Sequence, residues 1–299
     1  MIFSSKVNAI IEAEIQKMEE SKRQYREAGR KASVLCYPLA IIGAVLTFFF
    51  SLGGFFYIIA LLIFAIPFII KNANKSKLAG QFKQNLLVPA LAELKPDISY
   101  MPAMSIPQES FDSANLFPGP DRYRGEDLFE GLHGKTKFSF SEIHAEKKHK
   151  TKNNTRYSDI FKGLFLVADF NKHLKNETYV FTSGGGKWFS KFKRVRLENP
   201  EFEANFKVFS DNEIEARYIL TPSMMERLIQ LEKLFEAHLF VAFKGYNVYI
   251  ALENKNNYFE TNINLEITKQ AVLDVVSEID SCLGIIDELD LNTRIWTKD

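Results

Sequence analysis

Cysteine is scarce in this sequence of 299 residues, which contains only Cys36 and Cys282. Cys36 lies in an apolar run, and Cys282 lies in a stretch with helical spacing. A disulfide framework or a paired-cysteine zinc site needs more cysteines at closer spacing, so we expect two buried free thiols. An excess of positive or of negative charge is lacking as well. The formal net charge is +1, and no basic field points to a nucleic-acid partner.

Charged side chains are absent from residues 32–70, which read ASVLCYPLAIIGAVLTFFFSLGGFFYIIALLIFAIPFII. One membrane-spanning helix needs about 20 apolar residues, and this run has close to twice that number. We therefore predict a two-helix transmembrane hairpin, with helices at 32–50 and 55–70 and a tight turn at 51–54. A buried hairpin of a soluble core is the alternative, but soluble helices of this length carry charge on one face.

Basic residues flank both ends of the apolar run, whereas the turn at 51–54 has no charge. The flanking residues are Lys22, Arg23, Arg26, Arg30, Lys31, Lys71, Lys75, Lys77 and Lys83. Because such residues stay on the cytoplasmic side of a membrane, we expect both termini to be cytoplasmic. The lipid bilayer is then a partner, and the cytoplasmic membrane is the expected location.

The rest of the chain is expected to form helical arms and a cytoplasmic α+β domain. Helical spacing predicts an amino-terminal cytoplasmic helix in residues 1–31 and a juxtamembrane helix in residues 71–95, which pair as antiparallel arms. Prolines crowd residues 96–126 and indicate an extended connector. In residues 127–299, alternating apolar residues predict an antiparallel sheet of about five or six strands, together with two long helices.

Two strand predictions are specific enough to be tested. Residues 159–170 are almost continuously apolar, which indicates a central strand, with a separate strand at 177–182. Residues 238–253 are predicted to form a hairpin that turns at 244–247, with Gly245 at the bend.

The two long helices are also predicted in detail. Thr221 is a suitable N-cap, and Pro222 is suitable as the first helical residue. The last helix should span residues 265–289. The buried stripe of the helix that begins at Pro222 is expected to be Met225, Leu228, Leu231 and Leu234 (or Phe235).

Patterns typical of catalytic or metal sites are missing, so no cofactor and no metal are expected. His144 and His149 lie five residues apart in a predicted strand, on opposite faces, which suits metal binding poorly. A candidate polar cluster for catalysis is Asp169, Asn171 and Arg217. Simpler interpretations exist. Asp169 can cap a turn or pair with a cation such as Arg217. Arg217 can lie with Glu213 and Glu215 on one face of a strand, or pair with Glu213 four residues away on a helix, and in either case a structural ion pair is expected.

The stretch TSGGGKWFSKFKR, residues 182–194, raises the question of phosphate binding. A nucleotide-binding loop needs Gly-x-x-x-x-Gly-Lys followed by Ser or Thr and a helix, but here Trp188 follows Lys187 and a strand is predicted. A glycine-rich hairpin with a basic, aromatic tip remains. The tip is either folded onto the domain or is a candidate contact with the membrane or a partner, through Lys187, Trp188, Phe189, Lys191 and Arg194.

Two stretches carry a resemblance to a known family. They are IFKGLFLVADFNK (residues 160–172) and VRLENPEFEANFKVFSDNEIEARYILTP (residues 195–222). The sequence resembles a family of bacterial membrane proteins known as domain of unknown function 3137, over roughly residues 124–289. The resemblance implies the same layout of two membrane helices before the domain and a bacterial inner membrane. It implies no activity, cofactor or catalytic residue.

The expected function is therefore that of a membrane-anchored cytoplasmic interaction, scaffold or sensor module, more in keeping with a non-enzymatic role. Its partner would be another membrane protein or a second copy of the chain as a homo-oligomer. The alternative is a membrane-tethered enzyme acting on a small or lipidic substrate.

Overall fold

The chain forms two compact units. The structure, a computed structural model, describes residues 3–51, 53–151, 154–182, 192–254, 258–262 and 265–291. The first unit comprises Met1–Leu94 and Glu260–Val275, and the second comprises Lys95–Phe259 and Val276–Asp299.

The first unit is built on two long helical segments. Helix α1 (Ser5–Phe49) is continuous, so the predicted amino-terminal helix runs without a break into the first apolar helix. Its N-cap is Ser4, whose hydroxyl accepts the N–H of Val7 at 3.3 Å. The second segment, Gly53–Leu94, is helical throughout and is made of α2 (Gly53–Gln81), a π-helical stretch (Phe82–Leu87) and α3 (Val88–Leu94).

Helices α1 and α2 run antiparallel along their length. The rings of Tyr37 and Phe64 lie 4.9 Å apart, and the amide of Asn85 donates to Glu14 at 3.2 Å. Glu14 precedes Tyr37 in the first segment, whereas its partner Asn85 follows Phe64 in the second segment. This opposite order is what the predicted pair of antiparallel arms requires. Both segments are long and apolar enough to cross a membrane.

A short segment near the carboxyl end is held against α1 within the same unit. Glu19 accepts the N–H of Ile267 at 2.8 Å, and the ammonium of Lys22 donates to the carbonyl of Leu265. Lys22 and Glu19 also pair with each other at 2.9 Å. Burial opposes the charge of Glu19, but the Ile267 N–H and the Lys22 ammonium outweigh it and lower the pKa of this carboxyl.

The second unit contains an antiparallel sheet of seven strands, which confirms the predicted mixture of helices and antiparallel sheet. The strand order is β1-β2-β3-β4-β6-β5, and β7 pairs with β4. The strands are β1 (Ile98–Met101), β2 (Arg122–His133), β3 (Thr136–Lys150), β4 (Thr155–Thr182), β5 (Lys193–Val195), β6 (Phe206–Ser210) and β7 (His238–Glu253).

Strand β4 is central, as predicted for residues 159–170. Its Phe165 is paired with Ser141 of β3 and with Ala251 of β7. Beyond the middle of the strand, Val180 is paired with Val208 of β6 and with Val241 of β7. The strand therefore has hydrogen-bonded neighbours on both edges in both halves.

Two predictions about this part of the sheet are wrong. Residues 159–170 and 177–182 belong to one strand, and residues 238–253 form the single strand β7 without a hairpin turn. The register instead shifts between Asp169, paired with Asn247, and Leu174, paired with Gly245. Gly245 has a φ of +59°, so the glycine that suggested a turn accommodates a bulge between two long strands.

The predicted connector, residues 96–126, is also corrected. It contributes strand β1 and helix α4 (Gln108–Ser113) to the domain. Phe111 of α4 is 2% exposed, and its ring lies 5.1 Å from that of Phe165. Pro107 is the N-cap of α4, so a proline that indicated an extended chain starts a helix that covers the aromatic core.

The helices of the second unit follow the sequence signals closely. They are α5 (Pro200–Asn205), α6 (Glu213–Ile219), α7 (Pro222–Phe235) and α8 (Lys269–Glu288), the last of which begins in the first unit. Thr221 caps α7 by accepting the N–H of Met224 at 3.2 Å. Leu228 and Leu231 are buried as predicted, but Leu234 is 65% exposed, and the half-buried Phe235 takes its place in the stripe. Both cysteines are buried free thiols.

Close packing of β4 against β7 leads to a first prediction. A Cβ at Gly163, where φ is +154°, would lie 2.0 Å from the carbonyl oxygen of Leu252. We expect Gly163→Ala to lower the free energy of unfolding by about 3 kcal/mol, because the backbone of both strands must shift. Urea unfolding of the full chain in detergent measures this. Gly119→Ala is the control, since no atom lies within 4 Å of its added Cβ; equal stability of the two variants contradicts the prediction.

Candidate functional site

The residues of the predicted polar cluster make local structural contacts. Asp169 accepts the N–H of Asn171 at 2.9 Å, and Asn171 has a φ of +55°. This turn starts the bulge of β4. Asp169 therefore caps a turn, which is one of the simpler interpretations of this residue given above. Arg217 lies on α6, where it pairs with Glu213 at 2.9 Å and donates to the carbonyl of Arg196 at 2.8 Å. The helical ion pair is confirmed, and these contacts do not join Arg217 to Asp169.

A groove of about 330 Å³ lies beside Asp169 on the sheet. Its polar lining comes from Glu130, Lys137, Ser139 and Asn247, and Arg217 does not line it. The convergence of Asp169 and Arg217 that an active site would need is therefore not found in this groove.

A second groove of the sheet domain, of about 400 Å³, has a more strongly charged lining. It lies over β2, β3 and β4 and is lined by Arg124, Gly125, Glu126, Glu142, Ile143, His144, Lys162 and Gly163. The two glycines are required by close packing, because a Cβ at Gly125 would lie 2.5 Å from the carbonyl oxygen of Glu142. Of these lining residues, only His144 is indicated by a sequence pattern, because the remaining residues come together only through the pairing of the strands.

The charged groups of this groove already have partners. Arg124 pairs with Glu146 at 2.8 Å, and His144 pairs with Asp159 at 2.7 Å. Glu142 accepts the N–H of Tyr258, and Glu126 and Lys162 also have interaction partners. A fully partnered set of charges is typical of a structural network, and it leaves little charge to recognise a ligand.

Two metal-like groupings are found among the described residues, at the charged groove. In the first, Glu126, Asp127 and Glu142, Asp127 accepts the hydroxyl of Tyr100 and Glu142 accepts the N–H of Tyr258. The second involves His144. His144, Glu146 and Asp159 bring three potential ligand atoms within 4.8 Å of one another. The carboxylate of Glu146, however, is held by Arg124 and by Arg122, the latter at 3.3 Å. A cation at this point would have to displace two guanidinium groups. The sequence analysis missed Asp159, because it reaches His144 only through the pairing of β3 with β4.

A buried carboxylate next to the charged groove is structural. Asp127 is fully buried at the bulge of β2 and accepts the hydroxyl of Tyr100 at 2.6 Å. Burial, followed by the nearby charge of Asp127, raises the pKa of Tyr100 far above its ordinary value. Tyr100 therefore stays a hydrogen-bond donor at all physiological pH values and satisfies a carboxylate that water does not reach.

Two contacts with exposed tyrosine rings lie at the bulge of β4, one made with α6 and one with β7. We name this region the bulge surface, and it consists of Lys172, His173, Ile214, Tyr218 and Tyr246. The ammonium of Lys172 lies 3.8 Å from the ring centroid of Tyr218, and the rings of His173 and Tyr246 lie 4.7 Å apart. Ile214 and Tyr218 share one face of α6 and are 82% and 48% exposed, and Tyr246 is 53% exposed.

The bulge surface is held by backbone contacts. Glu215 of α6 accepts the N–H of Lys175 at 3.3 Å and that of Asn176 at 2.9 Å. These two N–H groups belong to the bulge, where the strand register is interrupted. The carboxylate of Glu215 therefore fixes α6 against β4, and Ile214 and Tyr218 are presented to solvent on a rigid base.

The predicted hairpin tip falls largely outside the described residues. Lys187, Trp188, Phe189 and Lys191 lie in the part of the chain that the structure leaves undescribed. Arg194 is described, and its guanidinium binds Glu203 at 2.8 Å together with the carbonyls of Val195 and Val208 at 2.7 and 3.1 Å. The contacts of Arg194 thus lie within its own domain.

A further groove, of about 590 Å³, lies between α1 and α2 in the first unit. We name it the basic groove. Its lining residues are Lys22, Tyr25, Arg26, Gly29, Arg30, Ser33, Val34, Lys71, Asn72, Asn74, Lys75 and Leu78. The sequence analysis used several of these cations only to orient the hairpin, because their convergence depends on the antiparallel packing of the two helices.

The contacts of Arg194 lead to a second prediction. Arg194→Ala should lower the free energy of unfolding of the full chain by about 2 kcal/mol, because the carboxylate of Glu203 and two carbonyls lose a charged donor. Arg196→Ala is the matched control, since Arg196 is exposed, and its effect should stay within about 0.5 kcal/mol. Urea unfolding of both variants measures the difference, and equal effects would show that the Arg194 contacts contribute nothing.

Comparison with known proteins adds three findings. No curated protein matches the chain. A solved structure, the crystal structure of the mycobacterial trehalose monomycolate transport factor A, TtfA, is similar over 61% of this chain and 93% of that chain, with 8% sequence identity and a TM-score of 0.29. Residues 159–291 match the model of a family described as "Protein of unknown function (DUF3137)", which confirms for this part of the chain the family resemblance found in the sequence.

Proposed function

We propose that the chain is a membrane-anchored interaction module, a scaffold or sensor without catalytic activity, whose sheet domain works at the cytoplasmic face of a bacterial inner membrane. The observation that carries this proposal is the exposure of the apolar hairpin, residues 32–70. Within it, Phe48 is 73% exposed and Phe68 is 65% exposed.

The exposed apolar surface is too large for a chain surrounded by water. Residues 32–70 contain 21 of the exposed large apolar side chains. Removing such a side chain from water contributes about 1.5–3 kcal/mol, so the whole set contributes on the order of 30 kcal/mol. The net stability of a domain is only about 5–15 kcal/mol, which is less than the cost of leaving these side chains in water. A hydrocarbon environment is therefore proposed for this hairpin.

The charges at the ends of the hairpin support the orientation. Lys31 precedes the apolar run and Lys71 follows it, and the antiparallel packing of α1 and α2 puts both at the same end of the hairpin. The positive-inside rule assigns that end to the cytoplasm. The sheet domain follows α3 in the sequence and is therefore proposed to be cytoplasmic.

The surfaces of the sheet domain favour interaction over catalysis. The bulge surface exposes two tyrosines and an isoleucine on a rigid base, and tyrosine is enriched at the energetic centres of protein interfaces. Tethering to the membrane raises the local concentration of the domain near another membrane protein or a second copy of the chain. The alternative, a membrane-tethered enzyme on a small or lipidic substrate, is less favoured, because the charged groups that line the groove of about 400 Å³ already have partners.

Membrane topology provides the third prediction. A fluorescent reporter that matures only in the cytoplasm, fused after Asp299, should be fluorescent, and a phosphatase that is active only outside the cytoplasm should be inactive there. The same phosphatase inserted between Ser51 and Gly53 should be active and serves as the control. Alkaline carbonate should leave the chain in the membrane fraction. A chain extracted by carbonate, or an active phosphatase after Asp299, contradicts the proposed location.

The bulge surface provides the fourth prediction. A photo-crosslinking amino acid at position 218, in the full chain in native membranes, should give a discrete crosslinked species. Ile214→Glu should reduce the yield of that species at least about tenfold, because a buried unpaired carboxylate costs several kcal/mol at an interface.

The matched control for this experiment is Leu234→Glu. Leu234 is also exposed, but it lies on α7 and outside the bulge surface. A yield that falls equally in both variants, or that does not change in Ile214→Glu, would exclude the bulge surface as the partner contact.

A further inference from the structure

Five cationic side chains converge on the basic groove from two helices. Lys22, Arg26 and Arg30 follow each other at intervals of four residues on one face of α1, and Lys71 and Lys75 do the same on α2. Like charges at this spacing repel each other along a helix. The antiparallel packing adds repulsion between the helices, so the groove is a place where an anion would be stabilising.

The cations of the groove are only partly compensated by the acidic residues that the structure describes. Lys22 is compensated, because it pairs with Glu19, and the charge of Arg26 also acts on that carboxylate. Arg30, Lys71 and Lys75 have no ion pair with any residue in the part of the chain that the structure describes. Among those residues, three positive charges therefore line the groove without an ion-pair partner.

The arrangement of the lining is suited to a phosphate group. Gly29 lets α2 approach, since a Cβ there would lie 3.3 Å from Cγ of Lys71. The stem of Lys71 therefore lies against α1 at Gly29, and Lys71 and Arg30 line the same groove. Asn72 and Asn74 add amide donors to the lining. Guanidinium, ammonium and amide groups together provide the charge-assisted donors that phosphate oxygens accept.

The lining changes from cationic to apolar within one helical turn. Val34 lines the basic groove, and with Leu35 it forms the apolar part of a neighbouring groove of about 570 Å³, whose charged part consists of Glu27, Arg30 and Lys31. Both of these apolar residues belong to the uncharged run 32–70. An occupant that fits has a negative charge at one end and hydrocarbon at the other, whereas a soluble phosphate compound would leave the apolar part uncovered.

The geometry points to the basic groove as a binding site for an anionic phospholipid. Its phosphate is bound by Arg30, Lys71 and Lys75, and its acyl chains lie along the apolar face that begins at Val34. Basic pockets between helices at the cytoplasmic boundary of a bilayer are suited to anionic headgroups. The inference rests on the proposed membrane location, and it goes further by naming the site and the ligand class.

Lipid binding to the purified full chain tests the proposal. The chain is delipidated in a non-ionic detergent and titrated with phosphatidylglycerol or with phosphatidylcholine, and bound lipid is counted by native mass spectrometry. Phosphatidylglycerol should bind at least about tenfold more tightly than phosphatidylcholine. The double variant Arg30→Gln, Lys75→Gln should lose about tenfold or more of the phosphatidylglycerol affinity, because each cation near an anionic headgroup contributes about 1 kcal/mol.

A charge-matched variant controls for net charge. Arg23→Gln, Lys77→Gln also removes one arginine from α1 and one lysine from α2, but neither residue lines the groove. This variant should bind phosphatidylglycerol as the unchanged chain does. Without lipid, the groove variant should be no less stable to heat than the unchanged chain, since repulsion between like charges has been relieved.

Three results would overturn the site. Equal loss of binding in both double variants would mean that the lipid responds to net charge alone. Equal affinity for the two lipids would mean that the phosphate charge is not recognised. Binding of glycerol 3-phosphate as tight as that of phosphatidylglycerol would identify a soluble phosphate compound as the ligand. Carbonate extraction of each variant separates these results from a failure of the membrane location, because the lipid titration is done in detergent.

Discussion

The constraint on which the first unit depends is that 39 consecutive uncharged residues, 32–70, must be kept from water. In the proposed membrane location, the backbone has to satisfy its hydrogen bonds internally, and the two helices of this run meet that requirement. Helices α1 and α2 pack antiparallel, and the cations that precede and follow the run are thereby brought to the same end. The basic groove is thus a consequence of the antiparallel packing, because the cationic stretch within α1 lies beside the cationic stretch within α2.

In the sheet domain, the corresponding constraint is the pairing of β4 with neighbours on both edges. A strand of this length cannot stay in register with β7 throughout, and the mismatch is absorbed between Asp169 and Thr178. The positive φ of Asn171 and Gly245 permits the bulge, and Glu215 caps the N–H groups that the bulge leaves outside the ladder. The exposed residues of α6 are presented by this irregularity, so a defect in the sheet creates the surface proposed to meet a partner.

Local signals in the sequence predict the local structure well, because they depend on neighbours along the chain. The Thr221 cap, the Glu213–Arg217 pair and the apolar strand at 159–170 all belong to this kind. The errors at Gly245 and in residues 96–126 have a common cause. Glycine and proline are compatible with a hairpin turn, a bulge or the start of a helix, and only contacts with distant parts of the chain decide among these structures. The candidate sites were missed for the same reason, since Arg30 and Lys71 line one groove only through the packing of α1 against α2.

The two charged grooves differ in a way that decides where a ligand is expected. In the sheet domain, His144 and Arg124 face carboxylates within 3 Å, so an incoming ion must compete with interactions that are already formed. In the basic groove, the exposed side chains of Arg30, Lys71 and Lys75 line one groove, and an incoming anion relieves their repulsion as well as adding attraction. Charge that a fold leaves uncompensated at a membrane boundary is therefore a stronger indication of a ligand than a larger number of charges that compensate each other.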